Sequence, residues 1–202
     1  MQNKDYLLPG VAAILLAVAH PTYWLGMSPS VGDYDILWQD MLSLGFYDIL
    51  FASCLLLNIY IYLNLKHILN EQLNFNHIDL LVWIYAAINI LWVSTLLLDV
   101  ASAVLPENIV SQNDGTFLNI GLSIGVGAIV ILGIIDLLIG ILLLAKSTEL
   151  PTLLKIFAIM SVIQGVIGMT VFLSVTLIFI FPITMIILAM FFLRKPESIE
   201  IV

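Results

Sequence analysis

From Ile156 to Leu193 the sequence runs for 38 residues without one Asp, Glu, Lys or Arg. A helix that crosses the hydrocarbon core of a bilayer needs about 20 mostly apolar residues, so this run is too long for one span and long enough for two. Three further stretches of span length precede it, at residues 38–65, 80–105 and 117–145, and an opening one covers 6–24. The long run divides into spans at 153–170 and 174–193, joined by a turn near Gly168 to Ser174. Pro151 suits the start of span five, where its missing N–H costs nothing. Pro182 predicts a kink inside span six. The fold expected is therefore all-α, a polytopic bundle of six transmembrane helices forming a single domain over residues 1–202, with no soluble domain in its short loops.

Composition supports that reading. Apolar residues make up 62% of the chain and charged ones 10%, with mean hydropathy +1.14, which leaves too little polar surface to cover a water-soluble globule. Six bases against 14 acids give a net charge of −8 and no basic patch to neutralise a phosphate backbone, so nucleic acid is not an expected partner. The single cysteine, Cys54, forms no intramolecular disulfide and reads as inert core.

Orientation follows from the bases. Lys4, Lys66, Lys146, Lys155, Arg194 and Lys195 all fall on one side of a six-span arrangement, while Asp33, Asp35, Glu107 and Asp114 mark the other. Basic loops stay on the cytoplasmic side, so both termini are expected there. Leu7 to Val18, followed by Ala17-Val18-Ala19, also has the form of a secretory signal, and is read here as the retained first span. No internal repeat, heptad run or low-complexity tract is evident.

Ionisable groups inside a span cost at least about 2.5–3.5 kcal/mol at the bilayer centre and normally face protein, so they mark candidate sites. At 1.5 Å per helical residue, Asp136 stands roughly 15 Å from Lys146, His20 roughly 24 Å from Lys4, Asp48 roughly 27 Å from Lys66 and Asp99 roughly 30 Å from Asp79. Gln164 reaches the depth of Asp136 on the next span. Glycines share these faces and allow close helix approach: Gly125, Gly133 and Gly140 beside Asp136, Gly165 and Gly168 beside Gln164. A hairpin of spans four and five with Asp136 against Gln164 follows. Other polar faces hold Trp92, Thr95, Asp99 and Ser102 on span three, and Asp40, Ser43, Tyr47, Cys54 and Asn58 on span two, while Gly10, Ala13, Ala17 and His20 form a seam on span one. The competing reading makes each carboxyl a protonated, hydrogen-bonded structural group. Gly121 to Gly125 is a GxxxG packing motif, and Gly125-Val-Gly127 lacks the strand that a dinucleotide fingerprint requires.

The segment Ala145 to Gly165, AKSTELPTLLKIFAIMSVIQG, resembles a pattern in uncharacterised bacterial six-span membrane proteins, in which a short basic loop leads through a proline into a glycine-bearing helix. The resemblance implies a bacterial inner-membrane location and six spans. It implies no catalytic residues.

Three functional classes remain. The first is a small cation or proton pathway, a channel or transporter lined by Asp136, Asp48, Asp99, His20 and Gln164, with an acidic mouth that concentrates cations. The second is a non-catalytic membrane subunit, sensor or anchor that docks a partner protein on its cytoplasmic rim. A membrane enzyme is the third and weakest, since no basic clamp lies outside the basic rim. One His with two Asp suffices in principle for a divalent metal, whose identity stays unknown, and haem with paired His is excluded within the spans. No cofactor is expected. The partners expected are the lipid bilayer and either further copies in a homo-oligomer or the other subunits of a membrane complex.

Overall fold

A computed structural model describes residues 6–27, 44–146, 148 and 150–194. Helix α1 is Leu7–Met27, α2 Phe46–Leu73, α3 Asp79–Val93, α4 Leu96–Val104, α5 Glu107–Ala145, α6 Thr152–Met169 and α7 Leu177–Leu193, with a 3-10 turn at Ser174–Thr176 before α7. No strand occurs among the described residues. Six segments are long and apolar enough to cross a membrane, α3 and α4 together making one of them. The molecule is a polytopic transmembrane helix bundle of six spans.

The spans pack in chain order as a closed ring. Each of α1, α2, α3, α5, α6 and α7 contacts the next, and α7 returns to α1. Neighbours run antiparallel, as paired contacts near both ends show. Gly26 lies against Tyr47 while Gln72 donates a hydrogen bond to the Tyr6 hydroxyl, and Gly10 lies against Leu193 while His20 stacks on Phe181. This arrangement gathers the described bases Lys66, Lys146, Lys155 and Arg194 at one end of the bundle, called here the basic end. The opposite end holds the turn between α6 and α7, whose Phe172 is 97% exposed.

Polarity is inverted relative to a soluble protein. Every span exposes Leu, Ile or Val, whereas Asn58, Asn89, Asp99, Asp136, Ser161, Gln164 and Thr184 are buried. In hydrocarbon no water satisfies a polar side chain, so such groups turn inward.

Several boundaries differ from the sequence expectation, each for a local reason. The stretch 38–43 of expected span two lies outside the described residues, and helix begins only at Phe46, where Asp48 Oδ2 accepts from the Gly45 N–H at 2.7 Å. At its other end α2 runs eight residues past Leu65. Lys66 Nζ reaches Asp79 Oδ2 at 3.9 Å and sits 4.8 Å from the centre of the Trp83 ring, so the charge is accommodated within the helix. Asn70 Nδ2 adds a hydrogen bond to both Asp79 oxygens, and Asn74, at φ 48°, ends α2 in the left-handed conformation that Asn tolerates. Span three is broken at Ser94 and Thr95, whose hydroxyls bond back to the Leu91 and Trp92 carbonyls and compete with the helical ladder. Helix α5 starts at Glu107, ten residues before Phe117, and its polar first turns extend beyond the apolar stretch Gly115–Ala145. Pro182 lies within α7 without interrupting it.

Candidate functional site

Helices α5 and α6 approach backbone to backbone, and glycine allows it. A Cβ on Gly165 would stand 2.5 Å from Leu137 N and 2.6 Å from Gly133 O; one on Gly133 would meet the backbone of Gly168 and Met169 at 2.9 and 2.8 Å; one on Gly140 would meet Ala158 O at 2.7 Å. Gly168 packs on Gly133 Cα. Gly125 belongs elsewhere, with only Trp92 Nε1 nearby at 3.5 Å.

This approach brings Asp136 and Gln164 together. Gln164 Nε2 donates to Asp136 Oδ2 at 2.6 Å, and Tyr62 on α2 donates its hydroxyl to Oδ1 at 2.8 Å. Asp136 is 4% exposed. The Tyr62 ring stacks on Tyr85 of α3, with centroids 4.1 Å apart. Asn58 Nδ2 donates to the Tyr85 hydroxyl at 2.8 Å, and Asn89 Nδ2 to the Tyr85 carbonyl at 2.8 Å. Four helices thus contribute to one polar layer around a single carboxyl.

A cavity of about 340 Å³ rests on this layer and extends to the 3-10 turn at Ser174 and Val175. Asp136, Gln164, Asn58, Asn89 and Tyr85 line it, with His20 on α1 and an aromatic wall of Tyr23, Trp24, Phe51, Trp92 and Phe181. Toward the basic end, Ile61, Leu65, Ile139, Leu143, Leu154 and Phe157 fill the ring with no exposed surface.

Of the five residues singled out from sequence as a pathway, the cavity brings together Asp136, Gln164 and His20. Asp48 instead sits in the first turn of α2 at the Gly45 amide, and Asp99 is buried on α4 outside the cavity lining. Among the described residues no three His, Cys, Asp or Glu side chains come together as a metal site, so His20 and two aspartates do not form one. Cys54 is buried and lines the cavity.

Tyr62, Tyr85 and Asn89 escape a search for acids, bases and histidine. Their signal is spacing: Asn58 and Tyr62, and Tyr85 and Asn89, are i,i+4 polar pairs well inside spans, where tyrosine is otherwise a residue of the interface. Buried atoms of this layer lack a protein hydrogen-bond partner at Asn58 Oδ1, Asn89 Oδ1 and Gln164 Oε1, as does His20 Nδ1 higher in the cavity. Comparison with known proteins finds no matching family model, no matching curated protein and no matching solved structure.

Proposed function

We propose that this multi-pass membrane protein moves a proton or small cation through the interior of its helix ring, with Asp136 as the obligatory step. The observation that carries the reading is the position of Asp136: the carboxyl lies at the floor of a cavity reaching from the turn end, and apolar side chains fill the ring between it and the basic end. That is the form of a half-pathway, with a cavity on one side of the carboxyl and apolar packing on the other. Tyr62 and Gln164 supply hydrogen bonds that water would give in solution, so a charged carboxylate is tolerated there between arrivals. Movement onward requires the packing around Leu65 and Leu143 to open, as in alternating access.

The clustered bases support an orientation with both termini in the cytoplasm, and the resemblance of residues 145–165 to bacterial six-span proteins supports an inner-membrane location. The cavity is then entered from outside the cell. Assembly into a homo-oligomer or a larger complex is not required, because cavity and carboxyl lie within one ring.

The test is flux in proteoliposomes. Wild-type protein should dissipate an imposed proton or cation gradient, and Asp136→Asn, which keeps the shape but removes the exchangeable charge, should abolish this at unchanged fold. Absence of flux under any gradient or potential, or equal flux in Asp136→Asn, overturns the reading.

A further inference from the structure

The cavity is much larger than a proton or a bare metal ion needs, and its volume of about 340 Å³ falls in the small-molecule range of about 300–1,000 Å³. Its walls and its floor make different demands. The walls are aromatic: Phe51 meets Trp92 edge-on at 5.6 Å between centroids, and Trp24 continues the surface through Tyr23. Faces of Trp and Phe attract cations as well as apolar bodies.

The floor asks for hydrogens. Asn89 gives its N–H to a carbonyl, which fixes its amide orientation, so its unpaired Oδ1 is an acceptor. Gln164 gives its N–H to the carboxylate, which leaves Oε1 as a second unpaired acceptor. Asn58 meets the Tyr85 hydroxyl, which can donate or accept, so its unpaired amide atom can turn to either role. An unpaired donor lies higher up: Trp24 Nε1 donates to His20 Nε2 at 3.1 Å, and since indole can only donate, the imidazole proton is on Nδ1, which has no protein partner. Two buried acceptors beside a carboxylate are matched by a cationic head with several N–H groups. A quinone or ketone carbonyl brings only acceptors to that floor, and a quaternary ammonium brings no N–H.

We infer that the cavity binds a small organic primary ammonium ion, its head at Asp136, Asn89 and Gln164 and its apolar body among the aromatic rings. The inference rests on the cation-pathway reading for the charge of the cargo and narrows it to an organic amine.

Trp24 and Trp92 line the cavity and report on its occupancy. Purified wild-type protein is titrated with 2-phenylethylammonium, with neutral 2-phenylethanol of the same shape, and with the N,N,N-trimethyl derivative, while tryptophan emission is followed. The expected result is a saturable change with 2-phenylethylammonium at concentrations about tenfold or more below those needed for either control, the scale of a lost charge-assisted hydrogen bond. Asn89→Leu should weaken the ammonium alone, and Asp136→Asn should remove its advantage over the alcohol. Equal binding of the alcohol to wild-type protein, or no saturable response to the ammonium, overturns the inference without need of any variant. Flux of protons or inorganic cations and flux of 2-phenylethylammonium, measured separately, distinguish the two readings. Asp136-dependent flux of protons or inorganic cations with no ammonium binding leaves the pathway and removes the organic cargo, whereas ammonium binding with no flux of any cation, the amine included, keeps the site and removes the pathway.

Discussion

Gln164 Nε2 lies 2.6 Å from Asp136 Oδ2, across a seam so narrow that glycine occupies both sides of it. The short side-chain bond and the close backbone approach are one feature. Only where α5 and α6 nearly touch does a glutamine on one span meet a carboxyl on the other, and Gly133, Gly140 and Gly165 set that separation.

The seam predicts a graded response to added methyl groups. Gly165→Ala places a Cβ 2.5 Å from Leu137 N, against backbone that cannot swing aside, and should destabilise the protein by about 1–3 kcal/mol, as overpacked cores are. Gly127→Ala meets nothing within 4 Å and should be neutral or slightly stabilising, since alanine favours helix. Thermal unfolding in detergent checks both. Equal unfolding temperatures for the two variants would contradict the packing described.

Asn89 should trade stability against function. Its Oδ1 is buried without a protein partner, a state that costs about 1–3 kcal/mol, and the side chain is fully buried. Asn89→Leu removes that acceptor beside a cavity with room for a branched side chain. The variant should unfold at the same or a higher temperature than wild type while losing flux. A variant both less stable and fully active would place Asn89 among purely structural residues.

Orientation is checked by cysteine labelling in a Cys54→Ala background. His77 follows α2 at the basic end and Asn113 lies in the first turns of α5 at the other, and both are exposed. Cysteine at position 113 should react with a membrane-impermeant thiol reagent on intact cells, and cysteine at position 77 only after permeabilisation. The reverse pattern would invert the direction in which the cavity opens.

The sequence carries the span count and the pairing of Asp136 with Gln164 because both depend on local, one-dimensional quantities. The length of predominantly apolar sequence sets the number of spans, and a fixed rise per residue places two groups counted from neighbouring basic rims at one depth. Other features depend on what meets in three dimensions. The charge of Lys66 reads as a helix end, yet α2 continues through it because Asp79 and Trp83 of another helix receive it. Asp48 and Asp99 read as members of one ladder with Asp136, but depth alone cannot tell a helix-terminal carboxyl from one aimed at a cavity. Tyr62 and Asn89 carry no formal charge and become distinctive only through the partners that α2, α3 and α5 bring to them. The closure of the ring, with Gly10 of the first span against Leu193 of the last, joins residues at opposite ends of the described chain.

Exchange of the Asp136 carboxyl with the medium is what separates a pathway from a structural hydrogen-bond network, and infrared difference spectroscopy of the reconstituted protein measures it. The difference spectrum recorded on replacing H2O by D2O, or on stepping pH or cation concentration, should contain a carboxyl or carboxylate band that responds promptly and is missing in Asp136→Asn. An Asp136 band that stays fixed through all of these changes while the protein remains folded would show a carboxyl sealed in the core, and would contradict the account.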